Sequence, residues 1–244
     1  MADSVTENGN IRGISGNILK LVACFSMFAD HFGEIFLKSN ATKQGSYLAC
    51  RFIGRLAFPI FAFLLVEGFL HTSSKLKYFL RLLALAFLSE IPYDLAFSGK
   101  IFSFENQNIV FELAVGLLML CLCGKIFQND RYAFGFRVFL GALTAILLGA
   151  GAFFLQFDYG IFGILFIFLL YFFKDNRLAQ IFAGVLSFGL YGLKDGISEL
   201  AVLAFIPIYF YSGRKGKNIK YFFYIFYPAH LLLLFFLKQL LIGN

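Results

Sequence analysis

The stretch Ile18 to Leu37, ILKLVACFSMFADHFGEIFL, constrains this chain more than any other. At about 1.5 Å of rise per residue, a helix of this length crosses a hydrocarbon core of about 30 Å. Yet it carries Lys20, Asp30, His31 and Glu34. Wound at about 100° per residue, Met27, Asp30, His31 and Glu34 fall on one stripe with Ala23 and Cys24, and the remaining faces are apolar. A charged side chain at the centre of a membrane helix costs on the order of 2.5–3.5 kcal/mol on insertion scales, so such a stripe turns inward, toward other helices or a wet cavity. Two readings follow. Either the stripe is a buried ion-pair network that fixes packing, or His31 is a general base whose tautomer or protonated form is held by Asp30 or Glu34.

Composition identifies the solvent around that helix. Of the 244 residues, 60% are hydrophobic and 14% charged, more apolar surface than a soluble core of this size consumes, so the excess faces lipid. The predicted fold class is therefore all-α, a polytopic integral membrane bundle of about nine spans. After the first span, apolar segments run over Phe52–Leu70, Tyr78–Phe97, Ile109–Phe127, Ala133–Leu155, Tyr159–Phe173, Leu178–Leu193, Ile197–Tyr211 and Tyr221–Ile242. The segments at Tyr159, Leu178 and Ile197 are short for a full crossing, which suits tilted, broken or re-entrant helices that line protein instead of lipid. Residues 1–17 read as a polar cytoplasmic tail and 18–244 as a single multi-span domain. The four cysteines, Cys24, Cys50, Cys121 and Cys123, have no metal-ligand spacing and imply neither zinc nor a disulfide framework.

The net charge of +7 comes mostly from loops, which points to the positive-inside bias of membrane proteins in place of nucleic-acid binding. Lys75, Lys77 and Arg81, Lys125 and Arg131, Lys174 and Arg177, and Arg214 and Lys215 mark the cytoplasmic side and put the N-terminus there. Lys38, Lys43, Arg51 and Arg55 break the pattern, since they fall on the opposite side. Arg51 and Arg55 are expected to be drawn inward by carboxylates, with Glu34, Glu67 or Asp158 as candidates for Arg55. Pro59 is the residue expected to bend the second span, and Pro92 to distort the turn between Glu90 and Asp94. Those two acids read as hydrogen-bond acceptors, and Glu112 and Glu199 as structural anions at helix starts. His230, following Tyr227-Pro228-Ala229, is either a packed histidine or part of a site.

Together these segments resemble the TraX family of conjugal-transfer membrane proteins. The likeness is carried by LKLVACFSMFADHFG (19–33), RFIGRLAFPIFAFLLVEGFLHT (51–72), KYFLRLLALAFLSEIPYDLAF (77–97), DYGIFG (158–163) and KYFFYIFYPAHLLLL (220–234), nearly the whole chain. It implies transfer of acetyl from acetyl-CoA to the N-terminus of a pilin-like envelope protein in a bacterial inner membrane. A more distant likeness supports acyl transfer: the ten residues between Lys20 and His31 resemble the basic-x10-His spacing of membrane acyltransferases that modify surface sugars, with Lys where they carry Arg. On that reading His31, Asp30, Glu34 and Arg55 do the chemistry, Arg51 or Arg55 meeting the developing oxyanion. Lys20, Arg51, Lys75, Lys77, Arg81, Arg214, Lys215 and His230 hold the anionic donor. An ion-coupled secondary transporter is the alternative, because intramembrane Asp, Glu, His and Arg beside short helices are also what such transporters carry.

Overall fold

The computed structural model describes residues 13–216 and 220–242, and among these it is helical, without a named strand. The polar tail expected over 1–17 lies outside the described residues as far as position 12. Helices α1 (Gly16–Phe36), α2 (Gln44–Gly54), α3 (Ala57–His71), α4 (Lys75–Ser98), α5 (Ile109–Phe127) and α6 (Phe134–Phe154) are followed by α7 (Gly160–Phe172), α8 (Arg177–Asp195), the short α9 (Phe205–Tyr209) and α10 (Lys220–Ile242). A 3-10 segment, Ser198–Ala204, leads into α9. Four helical stretches, 41–71, 109–127, 134–154 and 221–241, are long and apolar enough to cross a membrane. The three shorter apolar helices, 160–172, 177–193 and 198–209, fall where the sequence places its short segments. The apolar core is shared by α1, α3, α5 and α7, in which Leu19, Ile60, Phe63, Leu117, Leu120 and Ile167 are almost fully buried.

The second hydrophobic segment departs from expectation. It starts as a helix at Gln44, inside what reads as a polar loop, and breaks at Arg55–Leu56, four residues before Pro59. The position of the break follows from proline chemistry. A proline has no N–H for the carbonyl four residues earlier, here that of Arg55, and its ring clashes with that group. Ser26 of α1 serves the carbonyls left at the break: its hydroxyl donates to Gly54 O at 3.2 Å and also reaches Ile53 O. Pro92, by contrast, does not interrupt α4, which runs unbroken over 24 residues because neighbouring helices hold it on both sides. α2 lies close against the C-terminal half of α1, and Gly54 and Gly33 permit the approach. A Cβ at Gly54 would sit 2.1 Å from Asp30 Oδ1, and one at Gly33 would sit 2.6 Å from Cys50 Cβ.

The two ends of the bundle are tied differently. At the Lys20 end, residues 210–215 fold under the start of α1. Arg214 O accepts from Gly16 N at 2.8 Å and Lys215 O from Asn17 N at 3.1 Å, so the first amides of α1 are satisfied by main chain and Lys215 is fixed beside Lys20. At the other end the loops before α5 and α7 meet, with Gln107 N donating to Gln156 O at 3.2 Å. Gln156 (φ 59°) and Gly160 (φ 55°) both turn left-handed, which makes the bend that presents Asp158 and Tyr159 to α2.

Candidate functional site

α1 carries its acids and His31 at neighbouring positions, and the structure sends them to different partners. Asp30 faces α2, where Arg51 Nη1 donates to Asp30 Oδ2 at 2.8 Å and lies 3.5 Å from Glu34 Oε2. Glu34 also accepts from Tyr47 at 3.0 Å and pairs with Lys38. One turn on, Arg55 lies near the Tyr159 hydroxyl, Asp30 and Asp158. The inward draw on Arg51 is satisfied by contact with carboxylates, whereas Arg55 feels Asp30 and Asp158 at longer range. Glu67 is elsewhere, 3.6 Å from Arg177, whose guanidinium stacks over Phe63 at 4.4 Å.

His31 turns away from this cluster. Its Nδ1 lies 2.8 Å from His230 Nε2 on α10, 199 positions along the chain, and His230 Nδ1 lies 2.9 Å from Phe226 O. The expectation that Asp30 or Glu34 holds the His31 ring is thus corrected: both acids are taken up by Arg51, and the hydrogen-bonded partner of the imidazole is a second imidazole. Phe97 of α4 packs edge-on against His31, with ring centroids 5.1 Å apart and planes at 84°. His230 is buried and stacks on Phe226.

Below the pair, toward the other end of α1, lies a cavity of ≈ 500 Å³ enclosed by α1, α3, α4, α5, α10 and the 211–215 segment. Among the described residues its mouth carries Lys20, Arg81, Lys215 and His71 with a single carboxylate, Glu67; its walls are Leu64, Leu65, Leu82 and Leu113. Its far end is closed by Met27, Phe226 and Tyr227, and the last two rings touch His230, with centroids at 4.8 and 5.6 Å. The cavity thus ends against the wall on which the histidine pair is mounted. Lys20 Nζ lies 5.3 Å from the Phe223 ring and Lys75 Nζ 4.3 Å from the Phe69 ring, which lets both ammonium groups sit beside apolar surface.

Of the residues expected to hold an anionic donor, Lys20, Arg81 and Lys215 line the mouth, and Lys75, Lys77 and Arg214 are exposed at the same end. Arg51 is not with them, because α2 packs it against Asp30 at the opposite end, and His230 sits with His31 beyond the cavity floor. Sequence reasoning missed Tyr47, Tyr159, Tyr211 and Tyr227. Tyr211 lies near Glu67 at the mouth, and Tyr227 is buried beside His230. The only advance signal for Tyr227 was its place one turn before His230.

Around the His31 end stand further acids. Glu90 accepts from Asn108 N at 3.3 Å and Asp94 from Ser103 N at 2.8 Å, the hydrogen-bonding roles expected of them. Glu112 opens α5 and accepts the amide of Tyr159 at 3.0 Å. Among the described residues Asp30 Oδ1, Glu90 Oε1 and Glu112 Oε1 are buried with no hydrogen-bond partner, as are Arg51 Nε and Arg55 Nε; Asp30 is neutralised by Arg51, while Glu90 and Glu112 have no ion pair. Among the described residues no group of His, Cys, Asp and Glu is arranged to hold a metal ion, and all four cysteines are free.

No solved structure matches this chain. A Dichelobacter nodosus protein named probable fimbrial assembly protein FimC, serogroup H1, is 31% identical over an alignment 246 positions long that takes in 91% of this chain and 95% of that one. A family model described as TraX protein matches residues 15–238, the span that contains α1, the cavity and both histidines, and the chain belongs to the TraX family.

Proposed function

We propose that this chain is a membrane-embedded acyltransferase that moves an acetyl group from acetyl-CoA to an amine or hydroxyl of an envelope acceptor such as a pilin N-terminus. The observation that carries the reading is the cavity with a cationic mouth that ends against the His31–His230 wall. Acetyl-CoA is polyanionic at one end and carries its thioester at the end of a slender arm, so a basic rim over an apolar shaft suits it. Lys20, Arg81 and Lys215 hold its phosphates, with Lys75, Lys77 and Arg214 adding to the local positive potential. The floor of Met27, Phe226 and Tyr227 must draw aside for the thioester to reach the histidine pair; the acceptor N–H or O–H then attacks the thioester carbonyl, and His31 takes the proton. The C–S bond breaks, and the same proton passes to the departing sulfur, so the products are the acetylated acceptor and free CoA thiol. The excess of carboxylates at the His31 end favours a cationic acceptor, which an N-terminal ammonium is before it gives up its proton. The name of the fimbrial relative supports a pilin-type partner.

The bilayer assignment belongs to the same proposal. Loop charge puts the Lys20 end and the N-terminus at the cytoplasmic face of a bacterial inner membrane. α2 with α3, and the 198–209 segment, then each count as one crossing, for about nine in all. The test is acetyl transfer by the purified protein from labelled acetyl-CoA to a peptide bearing a free N-terminus. The wild type should label the peptide and His31→Ala should not while still folding. An active His31→Ala protein removes the proposed base.

A second reading has its own support. Three buried carboxylate oxygens without partners, on α1, α4 and α5, are what a proton-coupled transporter would titrate. It requires solute uptake into proteoliposomes driven by a proton gradient and abolished by Glu112→Gln, with acetyl-CoA neither bound nor consumed.

A further inference from the structure

With both rings neutral, the hydrogen-bond chain through the two histidines has only one consistent proton arrangement, and it determines which nitrogen of His31 is basic. Phe226 O is a carbonyl and can only accept, so His230 Nδ1, 2.9 Å away, must carry a proton. A neutral imidazole has one N–H, and His230 Nε2 is therefore a bare lone pair. That lone pair faces His31 Nδ1 at 2.8 Å. Two lone pairs would repel at this distance and one proton is needed between them, so His31 carries its proton on Nδ1 and its Nε2 is left unprotonated. The ring centroids lie 5.1 Å apart while the nitrogens are 2.8 Å apart, so the nitrogens point at each other along the line between the rings, as an N–H···N bond needs. Among the described residues nothing hydrogen-bonds His31 Nε2. The opposite tautomers would leave the buried His230 with a lone pair against a carbonyl oxygen.

We infer that His230 is a positioning residue for the proposed transfer: it fixes His31 as the Nδ1–H tautomer and so presents Nε2 as the proton acceptor. This rests on the acyltransferase reading for its function, though not for its proton arrangement. When Nε2 takes the acceptor's proton, His31 becomes an imidazolium whose Nδ1–H still points at the lone pair of His230. The new charge is stabilised by that hydrogen bond without any rearrangement. The Phe226 carbonyl completes the chain by orienting the dipole of His230 along it. The division of labour is that of a serine-protease triad, in which a third group holds the histidine tautomer, except that here the third group is a neutral imidazole. The carboxylates nearest in sequence, Asp30 and Glu34, are spent on Arg51.

The test separates this inference from the reading it serves. With three histidines in the chain, ¹⁵N-histidine labelling in nanodiscs gives a nitrogen spectrum assignable by His31→Ala, His71→Gln and His230→Gln. At neutral pH the expected result is protonated Nδ1 on both His31 and His230, with a through-bond coupling between His31 Nδ1 and His230 Nε2. A His31 found as the Nε2–H tautomer, or the absence of that coupling in folded protein, overturns the inference whether or not the protein turns over acetyl-CoA. In the transfer assay His230→Leu should lower turnover about a hundredfold or more, as loss of a correctly poised base does. His230→Gln, whose amide oxygen replaces the Nε2 acceptor, should stay within roughly tenfold of wild type. Equal loss in the Gln and Leu variants, with unchanged melting, would also overturn it. If the wild type transfers nothing while the nitrogen spectrum is as stated, the acyltransferase reading fails and the tautomer assignment stands.

Discussion

Gly54 is the position at which a single methyl group separates α2 from the acids of α1. A Cβ there would lie 2.1 Å from Asp30 Oδ1, 2.5 Å from its Cγ and 2.3 Å from its Cβ. The carboxylate can rotate, but the Asp30 Cβ is fixed by the backbone of α1, so Gly54→Ala must push the two helices apart. Overpacking alone costs about 1–3 kcal/mol. The shift also stretches the Arg51–Asp30 pair, whose side chains are 16% and 18% exposed and so partly desolvated. Separating a fully buried pair costs about 3–5 kcal/mol, and this one is worth less, so the total falls at about 2–5 kcal/mol. Gly45→Ala is the matched control, on the same helix with nothing within 4 Å of the added carbon. Thermal unfolding in detergent, followed by dye reaction at buried Cys24, reads the difference. Gly54→Ala should melt well below Gly45→Ala, and Asp30→Ala should fail to rescue it because the Cβ contact remains. Equal melting of the two alanine variants would refute the described contact between α1 and α2.

Three further outcomes follow from the same coordinates. Ser26→Ala strips the break at Arg55–Leu56 of its hydroxyl donor and should destabilise the protein by about 1–3 kcal/mol in the same melt, with Ser26→Thr intermediate. Lys20→Glu reverses a charge at the cavity mouth and should raise KM for acetyl-CoA roughly fivefold, about 1 kcal/mol, with kcat little changed. Added salt should shrink the gap between the two proteins. Arg177→Gln removes the cation beside Glu67 and leaves that carboxylate facing the mouth, so donor KM should rise there too. A double Glu67→Gln/Arg177→Gln protein should recover much of the loss in initial-rate measurements.

The polar stripe on α1 was legible because helical period and hydropathy conflict openly there: Asp30, His31 and Glu34 cannot face lipid. That Arg51 and Arg55 turn inward was legible for the same electrostatic reason. Which group meets which was not. Asp30 and His31 are adjacent in sequence, yet a helix aims neighbouring side chains about 100° apart, so one meets α2 and the other α10. The pairing of His31 with His230 joins two separate helices, and nothing local in either segment encodes it. α2 was hidden because residues 41–51 mix polar and small residues and are far less apolar than the spans on either side, so hydropathy reads a loop although a helical period is present. Proline was read well at Pro59 only as to its effect, since the break falls at the carbonyl it disables instead of at the ring. At Pro92 the helix continues without a break, between α5 and α10. The cavity was foreshadowed at its mouth by Lys20 and Arg81, while its floor of Met27, Phe226 and Tyr227 looks from sequence like ordinary core.

The most direct measurement places donor and acceptor on opposite sides of one membrane. Inside-out vesicles carrying the protein receive labelled acetyl-CoA, which does not cross the bilayer, on their outer face, with a peptide acceptor sealed within. The account predicts that label appears on the enclosed peptide, that His31→Ala abolishes it, and that His230→Gln lowers it only modestly. Label that appears only when donor and acceptor share a side, or at the same rate without the His31 imidazole, would contradict it.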